Sequence, residues 1–266
     1  MNDEKPTVPD TDPSTWGTPE GRHMIRLLWD PPTPAGRGPK QKLTLDQVVE
    51  AGMAVAAAEG IDKLSMRNVA AQLGVGAMSL YTYVPGRDEL FELMIDRAWA
   101  ARKLPDQSLP WREQVELHAR EAWRMYQSYP WLIRSNLWRM PLGPHVMDVQ
   151  EDIYRAVTLT DLPYPEVVRV AGLVESHVFG VARSVITDTS LSSNTGITAD
   201  EYWESRSSFW GTYYTPERFP TMTAIWESGA FERSAGDEVE FGLARLLDGV
   251  ELLIERLAVS HPSPVE

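Results

Sequence analysis

The most chemically informative residues of the chain lie between Ser65 and Leu90, in the stretch SMRNVAAQLGVGAMSLYTYVPGRDEL. Two short helical patterns meet there at a Gly-Val-Gly turn, which is the spacing of a helix-turn-helix. Ala70, Gly74 and Leu80 are expected to hold the two helices together. The outer face of the second helix keeps small, neutral hydrogen-bonding or apolar groups, and such groups can approach base edges in a DNA major groove.

Candidate DNA contacts follow from this arrangement. The second helix presents Gly76, Ala77, Met78, Ser79, Tyr81, Thr82 and Tyr83. Ser65 begins the motif, Arg67 on the first helix can reach guanine or phosphate, and Arg87 is a candidate phosphate clamp at the start of the next helix. The alternative is a helical hairpin that contacts no nucleic acid. That alternative would leave the exposed polar face of the second helix without a role.

A basic arm precedes the motif. Residues 37–42 read RGPKQK, and Arg37, Lys40 and Lys42 could enter a minor groove or contact phosphates. A solvated linker is the alternative. The chain has a net charge of −13, but most of the acidic excess follows Arg87, and residues 37–87 hold more basic than acidic side chains. Salt screens charges beyond about 10 Å, so the net charge does not exclude a nucleic-acid partner.

The composition and the motif search exclude several other classes of protein. No cysteine occurs in the 266 residues, which rules out disulfides, thiol catalysis and Cys-ligated metal sites. GVGAMS at 74–79 lacks the third glycine of a dinucleotide-binding loop, the sequence contains no nucleophile elbow or His-Glu-x-x-His motif, and the helical body contains no Glu-x-x-His motif. We therefore predict no enzymatic activity, no cofactor and no metal. The N-terminus lacks a signal-peptide pattern and no stretch could span a membrane, which predicts a cytoplasmic protein.

Helical signals dominate from Thr44 onwards. Thr44 and Gln47 have the spacing of a capping box, and Gly60 suits a helix C-terminus, so a helix is predicted near 45–59. Further helices are predicted near 65–73, 77–83, 87–102, 110–128, 144–159, 165–187, 200–212, 217–228 and 237–259. Strand signals are absent, so the predicted fold class is all-α.

The first 42 residues follow a different pattern. They hold eight of the 20 prolines, which block a continuous helix or sheet. One island, HMIRLLWD at 23–30, is apolar enough for a short helix that docks on a partner or on the body of the protein. A partly ordered tail with one apolar turn is the favoured interpretation.

The stretch from Leu43 to about Leu93 resembles the tetracycline-repressor (TetR) family of one-component transcriptional regulators. The motifs that carry the resemblance are Ala70, Leu73-Gly74-Val75, Leu80-Tyr81, Tyr83-Val84 and Arg87-x-x-Leu90. After the Pro-rich, partly disordered extension that the prolines indicate over 1–42, the resemblance implies a three-helix DNA-binding domain over 43–88 and a larger helical ligand-binding and dimerisation domain over 89–266. Two departures, Arg87 where the family usually has Lys and Gly76 at the start of the recognition helix, bear on base preference.

The resemblance also implies a homodimer through the helices near 165–187 and 237–259. The segment VEFGLARLLDGVELLIERL at 239–257 looks like the last helix of the family's C-terminal domain. Four glycines lie in these two helices, Gly172, Gly180, Gly242 and Gly249. Each costs roughly 1 kcal/mol of helix propensity, a loss that close packing of two helices would explain. Incidental glycines are the alternative.

Aromatic residues of the C-terminal region indicate an apolar cavity suited to a flat or hydrophobic ligand. His118 lies on the apolar face of the helix near 110–128, where it is either a core residue with one hydrogen bond or part of a pocket. The ligand-binding candidates are His118, Ala122, Trp123, Met125, Tyr126, Trp138, His177 and Trp210. His118 and the other aromatic and histidine candidates are each individually more typical of a core than of a pocket.

The resulting hypothesis is a ligand-responsive regulator, most simply a repressor, that binds a pseudo-palindromic double-stranded operator as a homodimer. A small-molecule effector in the helical body would release it, with the helix near 87–102 as the lever. The alternative is a helical adaptor that does not itself bind DNA.

Overall fold

The computed structural model of the protein describes residues 17–31, 43–137, 139–231 and 235–260. Every regular element in these ranges is helical, which confirms the all-α fold class, and none of these helices is long and apolar enough to cross a membrane. The chain divides into two compact units. One comprises Met1–Ala100 with Leu137–Asp148, and the other comprises Ala101–Asn136 with Val149–Glu266.

The first unit contains the helix-turn-helix. Its helices are α1 (Pro19–Trp29), α2 (Leu45–Glu59), α3 (Met66–Leu73), α4 (Ala77–Leu80) and α5 (Arg87–Trp99). The bounds of α2 and α3 agree with the sequence prediction. The reason is local, because both helices carry their own start and stop signals.

Side-chain caps set the starts of α2 and α3. The Gln47 N–H donates to Thr44 Oγ1 at 3.2 Å, and the Thr44 N–H donates to Gln47 Oε1 at 2.9 Å, which completes the predicted capping box. Ser65 Oγ accepts from the Asn68 N–H at 3.2 Å. Gly74 then ends α3 in the left-handed region at φ 67°, where a side chain would be strained.

The recognition helix α4 is shorter than predicted. The sequence indicated helix as far as Tyr83, but α4 ends at Leu80. The N–H groups of Tyr83 and Val84 both donate to the Leu80 carbonyl, at 2.8 and 3.0 Å. This tight turn leaves Leu80 and Val84 with no exposed surface, so burial of the two apolar side chains accompanies the early end.

Helix α5 packs closely on α2. A Cβ built at Gly52 would lie 2.9 Å from Met94 Sδ and 3.3 Å from a Leu90 methyl group, so any larger residue at this position would require the Met94 and Leu90 side chains to shift. Fully buried side chains complete this core, among them Val48, Val69, Leu80, Leu90 and Met94. The helix-turn-helix is therefore fixed to α5.

Helix α1 shows that the apolar island predicted at 23–30 is a helix that contacts α5, rather than a single apolar turn. Thr18 Oγ1 caps it by accepting from the Gly21 N–H at 3.1 Å. Met24, Leu27 and Leu28 are buried, and α1 contacts α5. The flanking prolines favoured irregular structure, but these three apolar residues share one face of a helix, and burial of that face stabilises it.

The second unit contains the longer helices. They are α6 (Trp111–Ser128), α8 (Tyr164–Thr195), α9 (Ala199–Glu204), α10 (Ser208–Thr212), α11 (Pro220–Glu227) and α12 (Ala235–Ser260), together with a 3-10 helix over Pro130–Arg134. Within this unit α8 packs against both α6 and α12. Helix α7 (Pro144–Thr158) begins in the first unit and passes into the second after Asp148.

Two helix predictions in this region were wrong in extent. Helix α8 continues beyond residue 187 to Thr195, and Gly196 ends it in the left-handed region at φ 68°. The predicted helix over 200–212 is divided into α9 and α10. Ser205 Oγ donates to the Tyr202 carbonyl at 2.7 Å, a local bond that competes with helix continuation.

Candidate nucleic-acid interface and effector site

The outer face of α4 is open to solvent. Met78 is 80% exposed and Tyr81 is 48% exposed, and Ser79 and Thr82 beside them are exposed as well. Ala77 and Tyr83 are half-buried at the edges of this face. The surface offers two hydroxyl groups, a phenol and a thioether, with no charged side chain among them. Such a surface suits base edges rather than phosphates.

The start of α4 has no side-chain cap. Gly76 occupies the capping position with an ordinary φ of −73° and ψ of 140°, and a Cβ built there meets no atom within 4 Å. The first N–H groups of α4 are therefore not satisfied by the capping residue's side chain.

Two arginines border this surface. Arg67 lies exposed on α3. Arg87 is engaged within the protein, where its Nε donates to the Leu64 carbonyl at 3.1 Å and its Nη1 donates to Asp88 Oδ1 at 3.0 Å. Ser65 is half-buried and its oxygen serves as the α3 cap. Both arginines are exposed, and the Arg87 guanidinium is in addition held by these two hydrogen bonds.

Four of the sequence candidates lie outside the described residues. They are the basic-arm residues Arg37, Lys40 and Lys42 and the aromatic residue Trp138. The remaining candidates divide between the surface around α4 and the second unit, where His118, Ala122, Met125 and Tyr126 are buried and Trp210 is exposed.

His118 lies in a buried charged cluster between α6 and α8. Its Nε2 donates to Glu175 Oε1 at 2.5 Å, and its Nδ1 lies 3.9 Å from Asp152 Oδ2 on α7. Arg102 is buried beside it, donates to the His118 carbonyl at 2.8 Å and lies 3.5 Å from Glu175 Oε1. Arg155 donates to Asp152 Oδ1 at 2.6 Å. We call these five residues the buried charge cluster.

The cluster keeps both of its carboxyl groups ionised. Burial alone would raise the pKa of Glu175, but the hydrogen bond from His118 and the charge of Arg102 lower that pKa to about 2. Burial likewise opposes the charged form of Asp152, and His118 and Arg155 hold its pKa below the usual range. Arg102 and Arg155 thus stabilise the charges of Glu175 and Asp152 within the second unit.

Tyr126 extends the cluster with an unused hydroxyl group. The side chain is 1% exposed, and its ring packs edge-on against Phe179 at 5.6 Å. Burial, then the negative charge of Glu175, raises the pKa of Tyr126, so the phenol stays protonated. Within the described residues, Tyr126 Oη and Glu175 Oε2 are buried without a hydrogen-bond partner. Unsatisfied buried polar atoms are costly, and a polar group of a ligand would satisfy them.

The other effector candidates occupy different surroundings. Ala122 and Met125 are buried on the same helix as His118, and Trp123 is half-buried. His177 donates from Nε2 to the Val239 carbonyl at 3.0 Å and so contributes to packing between α8 and α12. Trp210 belongs to an aromatic group over α9 to α11, where it lies 5.6 Å from Trp226 and 5.2 Å from Tyr214.

Sequence reasoning missed four members of the buried charge cluster, namely Arg102, Asp152, Arg155 and Glu175. His118 was found because it is polar on an apolar face. Glu175 and Asp152 are likewise polar residues among apolar neighbours. Val174 and Val178 are buried near Glu175 on α8, and Ile153 and Ala156 are buried near Asp152 on α7. Nothing in the sequence shows that the members of the buried charge cluster meet in the fold.

An open groove of about 480 Å³ lies along α8, away from the buried charge cluster. It is lined by Gly180, Arg183, Ser184, Thr187, Asp188 and Leu191. These residues recur at helical spacing on one face of α8, so the groove is an exposed helix face rather than an enclosed pocket. Among the described residues, no group of three or more His, Asp or Glu side chains is arranged to hold a metal ion.

Comparison with known proteins identifies both parts of the chain. Residues 48–94 match the family model for bacterial regulatory proteins of the tetR family, and residues 104–254 match the model for the tetracyclin repressor-like C-terminal domain. The HTH-type transcriptional repressor DrrR1 of Streptomyces coeruleorubidus is 39% identical over 251 residues, covering 93% of this chain and 92% of the relative.

Solved structures agree with these sequence matches. Apo ActR from Streptomyces coelicolor superimposes with a TM-score of 0.70 at 24% identity, covering 83% of this chain and all of ActR. ActR in complex with actinorhodin gives a TM-score of 0.66 at 25% identity, covering 78% and 94% of the two chains. With an all-helical fold, a helix-turn-helix and two matching family models, the chain belongs to the TetR family of helix-turn-helix transcriptional regulators.

Proposed function

We propose that the outer face of α4, with Arg67, reads the bases of a pseudo-palindromic operator, and that the homodimer acts as a repressor. The DNA-contacting set comprises Arg37, Lys40, Lys42, Ser65, Arg67, Gly76, Ala77, Met78, Ser79, Tyr81, Thr82, Tyr83 and Arg87. The observation that carries this proposal is the exposed, uncharged face of α4. This helix follows α3, which is capped by Ser65 and ends at Gly74. Residues 43–88 would then form the DNA-binding domain, and residues 89–266 the ligand-binding and dimerisation domain.

Replacing Arg67 with alanine is expected to weaken operator binding by about 10- to 100-fold, since one bidentate contact to guanine contributes about 1–3 kcal/mol. The probe is a site enriched from random duplex DNA on the purified dimer, and affinity is measured at two salt concentrations. Arg124→Ala is the matched control, because Arg124 is exposed on α6 and its loss changes the net charge equally.

An inverted repeat whose binding is lost in Arg67→Ala and kept in Arg124→Ala would support the proposal. Equal loss in both variants would show that only the overall charge matters. Failure of the folded dimer to enrich any site would favour the helical adaptor. The proposal also places the protein in the cytoplasm and assigns it no enzymatic activity, as its regulator relatives suggest.

We further propose that the effector is an aromatic, hydrophobic molecule that enters beside Tyr126 and the buried charge cluster. The contacting set comprises His118, Ala122, Trp123, Met125, Tyr126, Trp138, His177 and Trp210. Support comes from the apolar surroundings of Tyr126 and from its unused hydroxyl. A ligand with an aromatic body and a polar group would match both features. The similar ActR has been solved in complex with actinorhodin, which makes actinorhodin a test compound here.

Replacing Tyr126 with phenylalanine tests this assignment. Removing an unsatisfied buried hydroxyl should leave the free energy of unfolding unchanged or raise it by about 1 kcal/mol. Release of the enriched operator is titrated with planar aromatic compounds, beginning with actinorhodin. A compound that binds the hydroxyl should need an about 5- to 10-fold higher concentration with Tyr126→Phe. An unchanged concentration for every releasing compound would remove Tyr126 from the site.

A further inference from the structure

Residues 142–146, which lead into the first turn of α7, are held by two different helices of the first unit. From α1, the Trp29 indole Nε1 donates to the Leu142 carbonyl at 2.7 Å. From α5, Asp96 Oδ1 accepts from the backbone N–H groups of His145 and Val146, both at 3.0 Å. We call these contacts the α7 latch. All of them lie within the first unit.

Asp96 is fitted closely to this role. It is 5% exposed, and its second oxygen, Oδ2, accepts from His145 Nδ1 at 2.7 Å. A carboxylate at the first turn of a helix satisfies N–H groups that the helix leaves open and interacts favourably with its dipole. Gly143 reflects the same approach, because a Cβ built there would lie closer than 3.0 Å to Asp96. The chain therefore leaves room at Gly143 for this carboxylate.

Helix α1 supplies the other half of the latch. Its buried face, formed by Met24, Leu27 and Leu28, is fixed within the unit that contains α5. Trp29 at its C-terminal end is 50% exposed. The short indole hydrogen bond to Leu142 is the specific contact of this residue. The N-terminal extension thus contains a helix that holds the approach to α7.

The same helix α5 also holds the helix-turn-helix. Leu90 and Met94 pack against Gly52 of α2, and Arg97 pairs with Asp46 and, at 2.9 Å, with Glu50. Beyond Asp148, α7 continues into the second unit, where its Asp152 joins the buried charge cluster. One continuous helix therefore carries a latched first turn at one end and a member of that cluster about two turns later.

We propose that Trp29 and Asp96 are positioning residues, and that the α7 latch carries the state of the second unit to the helix-turn-helix. The inference rests on the proposed operator and effector functions, and it assigns a regulatory role to the N-terminal helix α1. A displacement of Asp152 displaces α7. The latch transmits this displacement to α5, and α5 transmits it to the recognition helix α4. Without the latch, α7 and α5 no longer move together.

The absence of native cysteine permits a direct test in the full-length dimer. Ala58→Cys, at an exposed position of α2, places one spin label on each protomer, and the distance between the two labels is measured without DNA. Trp29→Phe removes only the indole donor, and Asp96→Ala removes the cap. Asp96→Asn retains an acceptor for the two N–H groups, and Ile25→Ala alters an exposed side chain of α1 away from the latch.

Trp29→Phe and Asp96→Ala are expected to broaden the distribution of label distances and to weaken binding of the enriched operator by about 5- to 20-fold. Hydrogen exchange of the peptide over 143–148 should accelerate in both variants. Asp96→Asn should restore most of the narrow distribution, and Ile25→Ala should match the parent protein.

Accelerated exchange with unchanged label distances and unchanged operator affinity would overturn the proposal, because the latch would then serve stability alone. Unchanged exchange would overturn it as well, since these contacts would not hold the segment. If no operator is enriched from random DNA, the proposed operator function fails, and the label distances still decide whether the latch positions α2.

Discussion

Gly242→Ala is expected to lower the free energy of unfolding by about 2–4 kcal/mol, because α8 and α12 meet at this residue. A Cβ built at Gly242 would lie closer than 3.0 Å to atoms of the His177 ring. The ring cannot simply turn away, since its Nε2 donates to the Val239 carbonyl at 3.0 Å. Either the two helices separate or this hydrogen bond is lost. Urea denaturation at fixed protein concentration measures the change.

Gly249→Ala is the matched control on the same helix. A Cβ at Gly249 meets no atom of the chain within 4 Å, and alanine gains up to about 1 kcal/mol of helix propensity over glycine. If the partner protomer packs on Gly249, the same variant should dissociate at higher protein concentrations than the parent does. Equal loss of stability in both glycine variants would contradict the assignment of a close contact to Gly242 alone.

Glu175→Ala is expected to destabilise the protein by about 3–5 kcal/mol, because it leaves Arg102 and His118 in the interior without their shared carboxylate. Glu175→Gln keeps the size of the side chain and should cost less. The control is Asp188→Ala, which removes a carboxylate from an exposed position of the same helix α8. Its effect on the free energy of unfolding should fall within about 0.5 kcal/mol of zero.

The same carboxyl group of Glu175 makes the stability acid-sensitive. Its pKa is about 2 in the folded protein against an ordinary value of 4.5, so its contribution is complete above pH 4.5. That contribution, about 3 kcal/mol, is lost as the pH falls from 4.5 towards 2. The measurement is the urea midpoint between pH 7 and pH 3. A parallel pH profile in Glu175→Gln would show that another group is responsible.

Local signals explain why the helix-turn-helix could be predicted from sequence. The start of α2 is set by the capping box of Thr44 and Gln47, and the start and end of α3 are set by Ser65 and Gly74. Each of these signals acts on backbone groups a few residues away, and the structure has the bounds of α2 and α3 at the predicted places. Helix α4 was predicted too long because its end depends on burial of Leu80 and Val84 in the core of the unit.

Long-range contacts explain what sequence reasoning could not supply. His118 and Glu175 are 57 residues apart in the sequence, and Asp96 and Val146 are 50 residues apart. Each residue looks like an isolated polar group until helix packing brings its partner to it. Helix α1 was underestimated for the same reason, since its apolar face is stable only where α5 is available to cover it.

The discontinuous first unit limits how far this regulator is modular. A chimera that joins only residues up to Ala100 to the ligand-binding domain of another regulator would omit Leu137–Asp148. It would therefore lack the hydrogen-bond partners of both Trp29 and Asp96. The orphaned carboxylate would face a foreign segment without Gly143 to make room for it. A functional chimera of this protein has to include two separate segments of the sequence. The second segment, Leu137–Asp148, lies in the sequence between the two segments of the second unit.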